Sequence, residues 1–253
     1  MPKFDWRLFV RRKILKNKIT SDEMLDNLRK GGAKIGRDVF VYSTGKTWID
    51  RSAPYLLTIG DHVRITEGVK ILTHDYSWAV LKGYESEDIQ PGRVLGAQSP
   101  VDIGSHVFIG MNAIIMRGVK IGNHVVIGTG SVVTKDCPSG GVYAGNPARY
   151  IMSIEEFYRK REALQFAEAK EVARRYRERM GKEPPMEIFT EYFMLFADKD
   201  TAENVPAFWA QMGRVENYEA TVRYMESHPP RFPDFESFLK ACWQDDHEVE
   251  TSK

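Results

Sequence analysis

The chain has 253 residues, which is enough for one large domain or two modest ones. Its 36 Lys and Arg residues nearly balance its 35 Asp and Glu residues, so the formal net charge of +1 predicts neither a nucleic acid nor an acidic surface as a partner. The two cysteines, Cys137 and Cys242, are too few for a disulfide framework or a cysteine metal site, and this suits a reducing compartment. The sequence shows neither an apolar run of the roughly 18–20 residues that cross a membrane nor a signal-peptide pattern at its N-terminus. We therefore expect a cytoplasmic protein without an integral membrane segment.

The N-terminal segment, residues 1–32, is basic and has helical periodicity. Within it, Ser21 begins a short helix that should end at the glycine pair starting at Gly31. A basic amphipathic helix can lie on a membrane surface, whereas the open end of a repeat protein needs a cap. We expect residues 1–32 to be a helical cap.

Residues 33–152 contain a six-residue repeat that is clearest between Ile103 and Pro138. In sixes, this stretch reads IGSHVF, IGMNAI, IMRGVK, IGNHVV, IGTGSV and VTKDCP. Six-residue repeats are typical of parallel β-helices, in which each repeat forms a short strand and a corner. The first and fifth residues of each six face the same way, so an aliphatic residue and a smaller one should fill the interior. The Ile residues that open the sixes are Ile103, Ile109, Ile115, Ile121 and Ile127.

A slip in the repeat frame marks a segment that leaves the β-helix. The repeat is regular from Ile59 to Ile71, but Ile71 and Ile103 are 32 residues apart, which is not a multiple of six. We predict an excursion loop at about residues 75–96. Such long loops are uncommon in compact domains unless they are functional or disordered, and this one begins directly after His74. His74 is therefore a candidate catalytic residue.

Four histidines occupy the fourth place of a six: His62, His74, His106 and His124. If the coil register survives the excursion, all except His74 stack at one corner, where we expect them to face solvent. Their intervals of 44 and 18 residues lack the short spacing of a metal-ligand pair, so we expect no metal. His74 lies on another side, beside the excursion.

Residues 153–253 are helical in character. Ser153 and Glu156 have the spacing of a capping box, and the charged helix after them should end at Gly181. Prolines divide the remainder into shorter pieces, and its crowded aromatic and methionine residues predict a helical core rather than a ligand site. The predicted fold is mainly β: a parallel β-helix with a short N-terminal helical cap and a C-terminal α-helical region.

Three segments of the sequence carry a resemblance to a known family. They are ITEGVKILTHDYS, VDIGSHVFIGMNAIIMRGVKIGNHVVIGTGSVVTKD and GVYAGNPARYI. They resemble the hexapeptide-repeat acyltransferases, in the branch of galactoside, maltose and polysaccharide O-acetyltransferases, and the resemblance covers about residues 3–153. It implies a left-handed β-helix, although the usual crossover rule favours right-handed turns. It also implies a homotrimer, with acetyl-CoA as the acyl donor in the groove between neighbouring subunits.

The resemblance also implies roles for particular residues. His74 stands at the place of the general base, and an imidazole, which takes up protons near neutral pH, can accept a hydroxyl proton during attack on the thioester. Transfer would be direct, without an acyl-enzyme. Asp75 is the nearest residue that could orient the ring, although adjacent residues of an extended segment point apart. The contacts expected with CoA are Phe108, beside the pantetheine arm, and Gly128, Thr129, Thr134, Lys135 and Arg149.

Two features depart from the family pattern. Several sugar acetyltransferases hold an asparagine on an early coil that assists the histidine, whereas the matching stretch VYSTGKTWID has none. Ser43 or Asp50 could substitute for it. The resemblance also leaves the C-terminal helical region uncovered.

The predicted function is acetyl-CoA-dependent O-acetylation of a hydroxyl on a sugar or glycan, such as a polysaccharide or lipopolysaccharide precursor. One alternative is an N-acetyltransferase for an amino sugar or nucleotide sugar, and another is a non-catalytic β-helix that serves as a binding or scaffold protein. A γ-type carbonic anhydrase has the same kind of β-helix but needs three convergent histidines. The spacing of the histidines in this sequence argues against such an enzyme.

Overall fold

The computed structural model describes residues 19–244, so the first part of the predicted N-terminal cap lies outside the described residues. The chain divides into two compact units, Met1–Phe157 and Tyr158–Lys253.

The first described element of the first unit is helix α1 (Ser21–Lys30), the short helix predicted before the glycine pair. Its N-cap is Thr20, whose Oγ1 accepts a hydrogen bond from the Glu23 N–H at 3.2 Å, while the Glu23 carboxylate accepts one from the Thr20 N–H at 2.9 Å. This reciprocal capping box satisfies amide groups that the first helical turn leaves unpaired. The buried side chains of α1, which include Met24 and Leu28, belong to the same apolar cluster as the interior of the β-helix.

Short parallel strands then follow the six-residue repeat. The first coil contains β1 (Lys34–Ile35), β2 (Phe40–Val41) and β3 (Trp48–Ile49), and the second contains β4 (Leu57–Ile59), β5 (Arg64–Ile65) and β6 (Lys70–Ile71). The excursion contains β7 (His74–Asp75), helix α2 (Trp78–Lys82) and β8 (Ala97–Gln98). The third coil contains β9 (Val101–Ile103), β10 (Val107–Ile109) and β11 (Ile114–Ile115), and the fourth contains β12 (Lys120–Ile121), β13 (Val125–Ile127) and β14 (Val132–Val133). The unit ends with β15 (Gly141–Ala144) and β16 (Arg149–Ser153).

Corresponding strands of successive coils stack into three parallel sheets. The first sheet has the order β1-β4-β9-β12, the second continues from β2-β5-β10-β13 to β15 and the antiparallel β16, and the third has the order β3-β6-β11-β14. The pairing of Ile59 with Ile103 joins the coils on either side of the excursion. The coil register therefore survives the excursion, because the loop leaves and returns at one corner.

The interior follows the predicted frame. The residues that open the sixes are at most 3% exposed, and the fifth-place residues are also buried. The fifth-place residues are Val107, Ala113, Val119, Val125, Ser131 and Cys137. The corners of successive coils are also in close contact. A Cβ atom added to Gly104 would lie only 2.7 Å from the carbonyl carbon of Gly122. Glycine is therefore required at position 104. The parallel pairing of successive coils confirms the predicted parallel β-helix.

The excursion is closed at its base by an antiparallel strand pair. Strands β7 and β8 pair His74 with Gln98 and Asp75 with Ala97. The Ser99 N–H donates to the Thr73 carbonyl at 3.0 Å, just inside this pair. The loop therefore begins at His74 itself, which places this histidine at the junction between the β-helix and the excursion.

The C-terminal region is helical. Its helices are α3 (Ile154–Met180), α4 (Lys199–Asn204), α5 (Pro206–Met212), α6 (Tyr218–Ser227) and α7 (Phe235–Trp243). Single 3-10 turns lie between them at Met186–Ile188, Phe193–Leu195 and Arg214–Glu216. The first unit also has one 3-10 turn, at Pro54–Leu56. The predicted capping box before α3 is present, since Ser153 Oγ accepts from the Glu156 N–H at 3.0 Å and Glu156 Oε2 accepts from the Ser153 N–H at 2.7 Å. Helix α3 ends at Gly181, whose φ is +64°.

The second unit has its own apolar core. Phe189, Phe208 and Phe238 are fully buried in it, and the rings of Phe189 and Phe238 are 5.1 Å apart at an angle of 82°. The edge-to-face arrangement is one that aromatic rings prefer. The aromatic side chains therefore form a helical core, as predicted. Among the described residues, no helix is both long and apolar enough to span a membrane.

Candidate active site

His74 and Asp50 meet where two coils stack. Asp50 follows β3 and His74 follows β6, and these two strands pair with Ile49 opposite Ile71. The contact joins His74 Nδ1 to Asp50 Oδ2. The side chain of His74 is 18% exposed and that of Asp50 is 2% exposed. A buried carboxylate thus holds one nitrogen of a ring that remains partly open to solvent.

The Asp50 carboxylate is held by neighbouring hydroxyl and amide groups. The Ser52 N–H and hydroxyl both donate to Asp50 Oδ1, at 2.9 and 2.7 Å, and the Thr73 hydroxyl donates to Oδ2. Burial raises the pKa of Asp50, but the hydrogen bonds from Thr73, Ser52 and His74 outweigh burial and hold this pKa well below its usual range. The group is therefore an ionised carboxylate that is fixed in position.

The state of Asp50 determines which nitrogen of His74 is available for chemistry. An ionised carboxylate only accepts hydrogen bonds, so in the neutral ring Nδ1 carries the proton and donates to Asp50. The other nitrogen, Nε2, then has a free lone pair. A histidine held in this way has both its tautomer and its ring orientation set by the acidic partner.

Asp75, the residue expected to orient the ring, has a different place. Its Oδ1 accepts a hydrogen bond from the Ser77 N–H at 2.7 Å, and hydrogen bonding by Ser77 lowers the pKa of Asp75. The contact with His74 Nδ1 comes from Asp50 instead, because successive side chains of a strand, such as those of His74 and Asp75, point to opposite sides. Of the two suggested substitutes for the family asparagine, Asp50 lies at the ring, whereas the Ser43 hydroxyl donates to Glu67 Oε2 at 2.6 Å.

An open cleft of about 440 Å³ adjoins His74. It is lined by His74, Asp75, Tyr76, Trp78, Gly96, Ala97 and Gln98. These residues come from the two ends of the excursion, which the pairing of β7 with β8 brings together. The cleft combines aromatic walls with a few polar groups, as small-molecule sites commonly do.

Comparison with known proteins identifies the family. Residues 100–135 match the family model described as bacterial transferase hexapeptide (six repeats). Protein CapG of Staphylococcus aureus is 44% identical over 149 residues, which cover 58% of this chain and 79% of CapG. The chain belongs to the hexapeptide-repeat acyltransferase family. The predicted family and the prediction of an acyltransferase are thereby confirmed.

Two further relatives of this hexapeptide-repeat acyltransferase share part of its length. Nodulation protein L of Rhizobium meliloti (strain 1021) is 52% identical over 93 residues, which are 37% of this chain and 46% of that protein. Among solved structures, a maltose O-acetyltransferase from Clostridium difficile 630 is 28% identical. That match covers 59% of this chain and 89% of the other, with a TM-score of 0.40.

Neither cysteine of this acyltransferase is suited to carry an acyl group. Cys137 is 3% exposed inside the β-helix, and Cys242 is fully buried in the second unit. Burial raises the pKa of each thiol to about 11. Because the thiolate is the reactive form, both side chains are inert packing groups at neutral pH.

Two of the residues expected to bind CoA share an edge with His74. We call the corners that follow β3, β6, β11 and β14 the third-sheet edge. Ile71 pairs with Ile115, and Ile115 with Val133, so Thr134 and Lys135 lie on this edge after the last of these strands. Their coil lies two strand spacings away from the coil of His74, a distance of roughly 10 Å. Both side chains are exposed.

The other expected CoA contacts lie on or beside the second sheet. Phe108 is 43% exposed on the outer face of β10, where it pairs with Arg64 and Val126. Gly128 and Thr129 form the corner that follows β13, and Arg149 is exposed at the start of β16. Within the chain, the expected donor residues are thus divided between the second sheet and the third-sheet edge.

The remaining histidines of the repeat form a stack at another corner. The rings of His62 and His106 are 4.6 Å apart, and those of His106 and His124 are 4.7 Å apart at an angle of 3°. His106 and His124 are exposed, whereas the His62 side chain is 9% exposed and its Nδ1 lies 2.9 Å from Asp38 Oδ2. Within residues 19–244, no cluster of His, Cys, Asp and Glu could hold a metal ion.

Sequence reasoning missed Ser52 and Thr73, the residues that hold Asp50. The stretch from Thr47 to Thr58 departs from the repeat, so its frame could not be read from the spacing of aliphatic residues. Aligning Ile49 with Ile71 would have placed Ser52 opposite His74, which is the arrangement that the strand pairing produces.

Proposed function

We propose that this protein is an acetyl-CoA-dependent O-acetyltransferase that transfers an acetyl group to a hydroxyl of a sugar or glycan. The observation that carries the proposal is the contact of the buried Asp50 carboxylate with His74 beside the cleft. It supplies an oriented imidazole with a free Nε2, which is the group that a hydroxyl nucleophile needs as its base.

The transfer is direct. The acceptor oxygen attacks the thioester carbonyl carbon, a new C–O bond forms, and the hydroxyl proton moves to His74 Nε2. The C–S bond then breaks, and the proton passes from Nε2 to the departing thiolate, so that the products are the acetyl ester and the free thiol of CoA. The buried state of both cysteines supports this route over an acyl-enzyme on sulfur.

Asp50 has two tasks in this scheme. It holds the ring so that Nε2 stays available, and its negative charge stabilises the imidazolium that exists between the two proton transfers. Its own proton affinity is low, because the hydrogen bonds from Thr73 and Ser52 lower the pKa of Asp50. It therefore positions and supports the base without taking the proton.

The donor is held by Phe108, Gly128, Thr129, Thr134, Lys135 and Arg149. The exposed face of Phe108 suits the pantetheine arm, and the exposed charges of Lys135 and Arg149 suit phosphate groups. These residues are divided between two sides of the β-helix. That division supports a donor groove between neighbouring subunits of a homotrimer of left-handed β-helices. Sedimentation equilibrium should give three times the 29.0 kDa chain mass, and a monomer would contradict this assembly.

An acceptor screen tests the proposed activity. The protein is incubated with acetyl-CoA and a panel of neutral sugars, amino sugars and nucleotide sugars, and free thiol and product mass are measured. We expect thiol release that depends on a sugar hydroxyl, with a product that gains one acetyl group and is lost in His74→Ala. Acetylation only at amines would instead support the N-acetyltransferase alternative, and the absence of any acceptor-dependent release would contradict the proposal.

A further inference from the structure

Arg117 places a positive charge on the third-sheet edge. It follows β11, whose Ile115 pairs with Ile71 of β6, so its coil is the neighbour of the coil that leads to His74. Paired strands are about 4.8 Å apart, which puts Arg117 on the rung between His74 and the coil of Lys135. The side chain of Arg117 is partly buried, whereas that of Lys135 is exposed.

The guanidinium of Arg117 is held at the level of the base. Its Nη1 donates to Ser99 Oγ at 3.3 Å, and the Ser99 N–H donates to the carbonyl of Thr73 at 3.0 Å. Thr73 directly precedes His74 in the chain. The positive charge of Arg117 also acts on the carboxylate of Asp75, which directly follows His74. The cation is therefore tied to the two neighbours of the base.

Most of the hydrogen-bonding capacity of Arg117 is unused within the chain. A guanidinium has five N–H donors. Within residues 19–244, the side chain of Arg117 makes one hydrogen bond, to the Ser99 hydroxyl, and no ion pair. Arg64, another partly buried arginine of the β-helix, instead binds the Asp38 carboxylate at 2.7 Å. Arg117 is thus free to bind a negatively charged group beside His74.

The bound substrates bring no negative charge to this rung before they react. The phosphates of CoA belong at Lys135 and Arg149 in the proposed function, and the thioester, the pantetheine arm and the acceptor hydroxyl are neutral. A negative charge appears beside His74 when the acceptor oxygen has added to the thioester carbonyl. The π pair of the C=O bond then rests on the carbonyl oxygen, while His74 carries the hydroxyl proton. This oxyanion matches the charge and the place of Arg117.

We infer that Arg117 is a further catalytic residue, whose guanidinium donates a hydrogen bond to the thioester carbonyl oxygen as negative charge develops there. This inference rests on the proposed O-acetyltransferase function and adds a residue to that same site. When the intermediate collapses, the electron pair returns to the carbonyl, the C–S bond breaks, and the sulfur takes the proton from His74. Arg117 itself neither gains nor loses a proton. The base and the cation act on different oxygens of one intermediate.

The first test measures kcat and KM for Arg117→Met, which removes the charge and keeps a long side chain. A donor aimed at an oxyanion contributes about 10²–10³ in kcat, so we expect a loss of about that factor. The KM for acetyl-CoA and for the sugar selected by the acceptor screen should be unchanged, since a contact made only in the transition state leaves ground-state binding intact. Arg117→Lys, which retains the charge without the planar fork, should lose less.

Two control variants accompany these measurements. Arg37→Met removes an arginine that is 70% exposed at another corner, and it should behave as wild type. Ser99→Ala removes the hydroxyl that anchors the guanidinium and keeps the cation, so its kcat should stay much closer to wild type than that of Arg117→Met. Thermal unfolding of every variant shows whether the fold is retained.

A charged donor analogue tests the same contact without an acceptor. In the S-methylphosphonyl derivative of CoA, a tetrahedral, anionic phosphorus group replaces the acetyl carbonyl. By calorimetry, Arg117→Met should bind this analogue about 10²–10³-fold more weakly than the wild type does, because the analogue carries the charge of the intermediate. The affinity for acetyl-CoA, which lacks that charge, should be retained.

Three results would overturn the inference and leave the proposed function standing. Arg117→Met could keep the kcat of an active wild type, it could raise the KM for acetyl-CoA without loss of kcat, or Ser99→Ala could lose as much kcat as Arg117→Met. The last result would mean that Arg117 only holds the base of the excursion. Transfer to amines alone, with weakened analogue binding by Arg117→Met, would overturn the hydroxyl acceptor and support the role of Arg117. If the wild type releases no thiol with any acceptor, both proposals fail together.

Discussion

Asp50 and His74 are 24 residues apart in the sequence and adjacent in space, with Asp50 Oδ2 in contact with His74 Nδ1. The contact exists because β3 and β6 pair as successive rungs of one sheet. It brings together a buried acceptor of hydrogen bonds and a partly exposed ring beside a cleft. The pair is therefore the basis of the first two predictions.

Replacing His74 with Ala should remove the base. General-base catalysis typically contributes about 10²–10⁴ in rate, so we expect kcat to fall by about that factor while the affinity for acetyl-CoA, measured by calorimetry, is retained. His124→Ala is the control, since His124 is an exposed repeat histidine at a different corner. Equal losses in both variants would mean that the two histidines act in one shared site.

Replacing Asp50 with Asn should weaken the base without removing it. The amide is uncharged and no longer stabilises the imidazolium, so kcat should fall by at least tenfold but by less than the roughly 10²–10⁴ expected for His74→Ala. The KM for acetyl-CoA should be unchanged. Asp61→Asn is a matched control, because Asp61 is also a hydrogen-bonded corner carboxylate, held by Arg37. If the Asp50 variant kept its full kcat, the contact would serve only to stabilise the fold.

Replacing both Lys135 and Arg149 with Ala should weaken donor binding. Exposed charge pairs contribute about 0–1 kcal/mol each, so we expect the KM for acetyl-CoA to rise several-fold. The kcat should change little, because these groups bind parts of the donor far from the reacting carbonyl. Salt should weaken donor binding by the wild type more than by the double variant. A variant with normal affinity and reduced kcat would place the donor elsewhere.

The histidine stack should make folding stability depend on pH. Although His106 is exposed at its edge, its ring is stacked between His62 and His124. Loss of solvent around the ring, followed by the charges of His62 and His124, lowers the pKa of His106 below its usual 6.5. The unfolded chain therefore binds this proton more readily than the folded one, so stability is retained above about pH 6.5 and lost as the pH falls towards the folded-state pKa. The thermal midpoint of the wild type should drop on going from about pH 7 to about pH 5.

His106→Asn should reduce this dependence. Asn removes the titrating group and tolerates the φ of +57° at this corner. His228→Asn, in the second unit, controls for the loss of one histidine. The prediction is wrong if the wild type and the His106 variant lose the same number of degrees over this pH range.

Replacing Ile121 with Asp should prevent the β-helix from folding. Ile121 is 3% exposed among aliphatic side chains, and an unpaired carboxylate has no partner there. The neighbouring Lys120 is exposed on the same strand, so Lys120→Asn should remain folded. Circular dichroism and sedimentation distinguish the two variants, and a soluble, folded Ile121→Asp protein would contradict the assigned frame.

The sequence by itself determined the features that depend on local period and local caps. A six-residue repeat specifies which side chains face inwards, because each rung repeats the same alternation, and Ile103 through Ile127 are buried as predicted. The frame slip located the excursion, since a loop must return to the same corner for the next rung to pair. Helix α3 could be placed from Ser153 to Gly181 because capping groups act within one turn.

Only the tertiary structure decided what surrounds His74. Asp50 lies in a stretch where the repeat is irregular, so the sequence offered it only as one of two candidates, with Ser43, and the stacking of β3 on β6 decided between them. The nearer residue, Asp75, shares an extended strand with His74, and the pleat turns its side chain towards Ser77 instead. Trp48 and Tyr76 likewise flank His74 only because one belongs to the first coil and the other to the excursion. Contacts between rungs are set by strand pairing over long sequence separations, and this is why the position of His74 at the start of the excursion was predictable while most of the residues that surround its ring were not.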